Sequence, residues 1–173
     1  YGYMFGQPGK KLLFMGGEMA SWDEWDHESE LPWYLLQYPH HDGVRRWVDD
    51  LNRFYREEPA MHEWDFDPRG FEWVDCSDSD QSTLVFLRRG PSSDRTVLAA
   101  CNFTPVPRSG FRVGVPHAGY WTERLNSDAS VYGGSDMGNS GGAMAQPVEC
   151  HGRPYSLEIA LPPLSVVFFV TGP

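Results

Sequence analysis

The sequence predicts a mainly-β chain: an antiparallel β-sandwich of about seven strands, preceded by a single βα unit. Two observations carry this. From Phe71 onward the apolar residues recur with a period near two, and turn clusters interrupt them roughly every 10 residues. Before that point lie one short apolar run and one helical stripe, and neither makes a domain by itself.

The apolar run is Leu12-Leu13-Phe14-Met15, bounded by Pro8-Gly9 and Gly16-Gly17. Four apolar residues without alternation suit a strand buried on both faces, as in a parallel sheet. A Trp-rich loop follows, from Ala20 to Tyr38. Then Val44, Trp47, Val48, Leu51, Phe54 and Tyr55 recur at i, i+3, i+4 and i+7, which predicts an amphipathic helix with Asp42 as its N-cap and Pro59 just past its end.

The expected strands are Phe71–Asp75, Ser82–Arg88, Thr96–Phe103, Phe111–Val115, Tyr120–Ser127, Tyr155–Leu161 and Ser165–Val170. Ser77-Asp78-Ser79-Asp80, Gly90-Pro91-Ser92-Ser93 and Pro116-His117-Ala118-Gly119 punctuate them. Thr96–Phe103 is apolar almost throughout and is expected at the centre. The Gly-rich stretch from Asp128 to Arg153 is long for a loop, so a functional, an ordered crossing or a mobile role is open. No phosphate-cradling motif occurs in it.

Composition bounds the function. The 173 residues carry a formal net charge of −10, with no basic stripe to displace counterions, so neither nucleic acid nor an anionic membrane surface is an expected partner. No run of about 18 apolar residues could span a bilayer. Cys76, Cys101 and Cys150 are scattered and show no metal-ligand spacing, so no metal or cofactor is expected, and a reducing, cytoplasmic location is. Tyr1 to Gln7 lack the basic start and cleavage site of a signal peptide. The missing initiator Met fits a segment of something longer. Seven Trp and eight Tyr suit a β-rich core or a surface that stacks on sugars.

The residues that could carry chemistry are Glu18, Asp23, Glu24, Asp26, Glu28 and Glu30, interleaved with Trp22, Trp25 and Trp33. Glycoside cleavage needs two carboxylates flanking the bond, and indole faces bind sugar rings. Glu18 follows the end of the apolar run, the end that bears the site in (β/α)8 barrels. Taken singly, these acids are more simply solvated loop charges, and the tryptophans could equally pin the loop. His40-His41 offers no metal-ligand spacing and reads as a helix entry.

The ordered set of motifs Lys10 to Glu18, Glu24-Trp25, His62 to Pro68, Gly70 to Trp73, Asn102-Phe103-Thr104-Pro105-Val106-Pro107-Arg108, Leu125 to Asp128, Tyr132 to Ser135, His151 to Pro154 and Leu161 to Leu164 resembles the C-terminal part of 1,4-α-glucan (glycogen) branching enzymes, in the α-amylase clan. The resemblance covers essentially the whole chain. It implies that residues 1–60 end the catalytic (β/α)8 barrel with its eighth strand, loop and helix, and that residues 61–173 form the α-amylase-type C-terminal sandwich. Their partners would be α-glucan (glycogen, amylose) and the preceding N-terminal and barrel domains.

The implied activity, in glycogen biosynthesis, is cleavage of an α-1,4 link and its re-formation as an α-1,6 branch. The family's nucleophilic Asp, acid/base Glu and stabilising Asp come from earlier strands, so no catalytic residue is expected here and the chain alone should be inactive. Glu18, Trp22 and Trp25 are then the candidate substrate contacts. Relatives usually read Glu-Phe-(Gly/Ala)-Gln where this chain has Glu18-Met19-Ala20-Ser21, and Leu-Asp-Trp where it has Leu31-Pro32-Trp33. A carbohydrate-binding module without catalysis, or a hydrolase of the same clan, are the alternative readings.

Overall fold

A computed structural model describes residues 1–171, and only the backbone of residue 93. The last two residues of the expected 61–173 domain therefore lie outside the described residues. Two α-helices, α1 (Gly2–Gly6) and α2 (Pro39–Glu57), precede eight strands. These are β1 (Phe71–Asp75), β2 (Thr83–Gly90), β3 (Ser93–Asn102), β4 (Arg108–Val115), β5 (Tyr120–Asn126), β6 (Gly142–Met144), β7 (Tyr155–Leu161) and β8 (Ser165–Thr171). A six-stranded sheet runs β1-β2-β3-β8-β5-β6, and β4 pairs with β7 in a second sheet. All pairs are antiparallel.

The period-two pattern now has a physical cause. In register, Phe86 faces Ala99 and Ala99 faces Phe168, so these side chains share one face with Val97, Cys101 and Val170. The alternate residues Val85, Leu87, Leu98, Ala100, Val167 and Phe169 point the other way, onto Val113, Val115, Leu157, Ile159 and Leu161 of the small sheet. Since both faces of β8 are covered, all seven of its residues are buried. The central place expected for Thr96–Phe103 belongs to β3, flanked by β2 and β8.

Helix α2 covers the other face. Trp47, Leu51 and Phe54 join Phe86, Phe168 and Val170 in one cluster, and the Phe54 and Phe168 rings lie 5.4 Å apart. Each such side chain contributes at most ~1.5–3 kcal/mol on burial. The helix begins earlier than expected. Pro39 occupies its first turn, where the fixed φ suits the helix and no N–H is missed. Asp42 thus lies inside the helix and does not cap it, and its carboxylate binds Arg45 (2.9 Å) and Arg46 (2.6 Å).

The expected strand Leu12–Met15 is not one. The segment lies outside every sheet, Leu12 is 82% exposed and Phe14 63% exposed. A strand buried on both faces needs a neighbour on each side to satisfy its N–H and C=O groups, and no described strand lies beside it. Periodicity also missed α1 and β6, the former too short and the latter inside the Gly-rich stretch.

That stretch is an ordered crossing. The Asp128 carboxylate accepts from the Ser135 N–H (3.1 Å), its hydroxyl (2.6 Å) and the Met137 N–H (3.1 Å). Tyr132 packs edge-on to Trp47 at 5.0 Å and donates to Asp50 at 2.7 Å. A Cβ at Gly43 would lie 2.3 Å from the Tyr132 carbonyl oxygen, so the loop and the helix approach as closely as glycine permits.

Candidate functional site

The Glu18 loop is built by local backbone rules. Gly16 (φ 84) and Ala20 (φ 51) both take left-handed conformations around the 3-10 turn Gly17–Met19. The Ser21 N–H closes the loop on the Gly16 carbonyl at 3.0 Å. Met19 is fully buried and pegs the turn under helix α2, while its carbonyl meets His41 Nδ1 at 2.8 Å. Tyr1 donates its hydroxyl to the Gly17 carbonyl at 2.6 Å. Burial first, and then the charge of Glu18, raise the Tyr1 hydroxyl above the usual tyrosine range.

Glu18 sits on this turn, half-buried, and its Oε2 is enclosed with no hydrogen-bond partner among the described residues. Such an oxygen is costly to leave bare, and a hydroxyl donor would satisfy it. Trp22 is 67% exposed and rests edge-on against His41, with ring centroids 4.8 Å apart. Trp25 is 46% exposed and rests on Phe14 at 5.5 Å.

The three candidate residues therefore share one loop but not one cluster. Trp22 leans on the entry of α2, Trp25 on the exposed Phe14. A cleft of about 90 Å³ beside Trp25 is lined by Met15, Asp23, Glu24, Asp26 and Leu31, and Glu18 is not in its wall. Asp23, Glu24, Asp26, Glu28 and Glu30 are all exposed. What the loop can do is stack on flat apolar faces and accept hydrogen bonds.

Sequence reasoning missed the supports of this loop. His41 marks the helix entry as expected, yet its contact with the Met19 carbonyl spans 22 residues and leaves no local signal. It also missed Arg88, which is wholly buried in β2. Its guanidinium donates to the carbonyls of Gly6 (2.9 Å) and Gly70 (3.1 Å) and to Asp65 (2.5 Å). The neighbouring Tyr55 donates to Asp65 at 2.5 Å, and burial together with that bond raises its hydroxyl to about 12.

A six-stranded sheet backed by a two-stranded one defines an all-β sandwich domain. Residues 73–172 match the alpha amylase C-terminal all-beta domain, and the chain belongs to that family. It is 56% identical over 168 residues to the 1,4-alpha-glucan branching enzyme GlgB of Aquifex aeolicus, covering 97% of this chain and 27% of that protein. The branching enzyme GlgB of Cereibacter sphaeroides is also 56% identical, over 97% of this chain and 23% of its own length. That of Aromatoleum aromaticum is 55% identical over 98% and 27%. The chain thus spans about a quarter of the relatives it matches, in their C-terminal part. Among solved structures, a cyclomaltodextrin glucanotransferase with a three-domain distribution superposes with a TM-score of 0.60 at 14% identity, over 97% of this chain and 30% of its own. That likeness shows the shared fold. No helix among the described residues is long and apolar enough to cross a membrane.

Proposed function

We propose that this chain is the C-terminal portion of a cytoplasmic 1,4-α-glucan branching enzyme, with residues 1–60 completing a catalytic barrel and residues 61–173 forming its accessory sandwich. The observation that carries the reading is the 56% identity to a branching enzyme across 97% of the chain, loop included. The exposed Leu12 and Phe14 support it as well, for an apolar segment that pairs with no strand here would gain partners from upstream barrel strands. The bare Oε2 of Glu18 and the exposed faces of Trp22 and Trp25 support substrate contact at the barrel rim.

In this reading the nucleophile and the acid/base belong to the preceding part of the protein. The nucleophilic carboxylate attacks the anomeric carbon and displaces the 4-oxygen, which takes the proton of the acid/base residue. The resulting glycosyl ester is opened by a 6-hydroxyl, whose proton returns to that residue, and an α-1,6 link forms. This chain's share is to hold the glucan: indole faces receive sugar rings, and the Glu18 carboxylate accepts a hydroxyl.

The test compares this chain alone with a longer protein that includes its upstream barrel, each incubated with amylose. The longer protein should lower iodine staining and create isoamylase-sensitive links without a matching rise in reducing ends, and this chain alone should do neither. A proportional rise in reducing ends would replace transfer by hydrolysis. Turnover by this chain alone would relocate the chemistry to the Glu18 loop.

A further inference from the structure

Three rings that are separated in sequence gather at the entry of helix α2. Trp22 belongs to the loop after the Glu18 turn, Tyr38 is the residue before the helix, and His41 lies in its first turn. The centroids of Trp22 and His41 are 4.8 Å apart, those of Tyr38 and His41 6.2 Å, and those of Trp22 and Tyr38 6.3 Å. Pro39 accounts for the place of Tyr38. A residue before proline is kept out of the helical region, and Tyr38 is extended at φ −95 and ψ 129.

Packing alone does not account for the three rings. Trp22 is 67% exposed and Tyr38 46% exposed, whereas Trp47 and Phe54, which pin α2 to the sheet, are buried. Large aromatic faces left in water mark a surface that receives another apolar face.

The polar groups narrow the ligand. A carbonyl oxygen only accepts, so the 2.8 Å contact of His41 Nδ1 with the Met19 carbonyl puts the ring proton on Nδ1. In the neutral ring Nε2 then keeps its lone pair, and no described residue bonds to it. Arg45 and Arg46 bind Asp42 and Asp49, so the guanidiniums of the first helical turns are compensated. An imidazole acceptor and a phenol beside exposed rings suit a neutral ligand with C–H groups on its faces and hydroxyls on its edges.

We propose that Tyr38 and His41 contact glucan beside Trp22: sugar rings stack across the Trp22 and Tyr38 faces, and His41 Nε2 accepts a hydroxyl from the ring held there. The choice of glucan rests on the function proposed above. The bond to the Met19 carbonyl also sets the imidazole and the Glu18 turn in one fixed relation. A platform built beforehand costs its ligand less ordering. Trp25, which rests on Phe14, is not part of it.

The test uses the longer protein that includes the upstream barrel. KM and kcat for branching of amylose, affinity for maltoheptaose by calorimetric titration and the thermal midpoint are measured side by side. Tyr38→Ala should raise KM and weaken maltoheptaose binding about tenfold while kcat changes less than about twofold, and Tyr38→Phe, which keeps the ring, should lose far less. His41→Asn can still donate to the Met19 carbonyl but has no atom at Nε2, so it should keep the midpoint and raise KM about fivefold. His41→Gln offers an amide oxygen near the Nε2 position and should recover most of that loss. Parental KM in both Tyr38→Ala and His41→Asn would overturn the proposal, as would a KM that rises only in step with a fall in midpoint. No recovery in His41→Gln would overturn the acceptor role of His41. Branching by the parent with both variants unaltered overturns this inference alone. Maltoheptaose binding weakened by Tyr38→Ala in a protein that does not branch supports the platform and overturns the proposed function, and a parent that neither branches nor binds overturns both.

Discussion

The sandwich and the loop between residues 8 and 38 use equally apolar sequence to opposite ends. In the sandwich every long strand finds a partner within this chain, and β8 is covered on both faces. In the loop, Met19 and Leu35 are buried pegs, while Leu12, Phe14, Trp22, Trp25, Trp33 and Tyr34 face solvent. The difference teaches that an apolar pattern reports a demand for burial and does not say which surface meets it. Contiguous exposed apolar residues mark an interaction surface, for a substrate or for the rest of a longer protein.

The comparison breaks most visibly where both layers meet. Phe168 is wholly buried and touches Phe54 across the helix–sheet seam. Phe168→Ala should cost about 3–5 kcal/mol, measured by chemical denaturation. A loss below about 1 kcal/mol would mean that α2 does not pack on this face in solution.

Most of the sandwich was legible because its physics is local. Seven expected strands appear within a few residues of their observed ends, since period two and turn chemistry need only neighbours in sequence. What escaped depends on distant partners. Leu12–Met15 reads as a strand by composition, but a strand is also a set of pairings. Arg88 sits in phase with Phe86 and nothing in its neighbourhood announces the two carbonyls and the carboxylate that enclose it. The candidate site was named from a resemblance together with position. Nothing local to His41 announces that its ring will support Trp22, 19 residues earlier in the chain.

A smaller effect sharpens how the Gly-rich crossing serves the helix. Tyr132→Phe removes the hydrogen bond to Asp50 while keeping the ring on Trp47, and should cost about 1–2 kcal/mol in thermal unfolding. A neutral result would leave the ring contact alone to fasten the crossing.

Smaller still is a titration outside the core. Asp67 accepts from Arg69, whose side chain and N–H hold its carboxyl down at about 2, against an ordinary 3.8. Because the folded value is the lower one, its contribution is complete above about pH 4 and is lost as pH falls toward 2. Asp67→Asn should therefore flatten the acid limb of the stability profile in that window and leave the curve's shape at neutral pH unaltered. An unchanged acid limb would show that the pair does not persist in water.

The proposed substrate role requires that the exposed indoles of the loop contact glucan and do not hold the fold together. The most direct measurement sets the thermal midpoint beside kcat/KM on amylose for the longer protein and its Trp22→Ala and Trp25→Ala variants. Surface positions change stability by about 0.5 kcal/mol, so the midpoints should stay within about 2 °C of the parent while kcat/KM falls about tenfold or more. Variants that melt far earlier, with a surviving folded fraction as active as the parent, would contradict the claim and leave Glu18 as the loop's sole candidate contact.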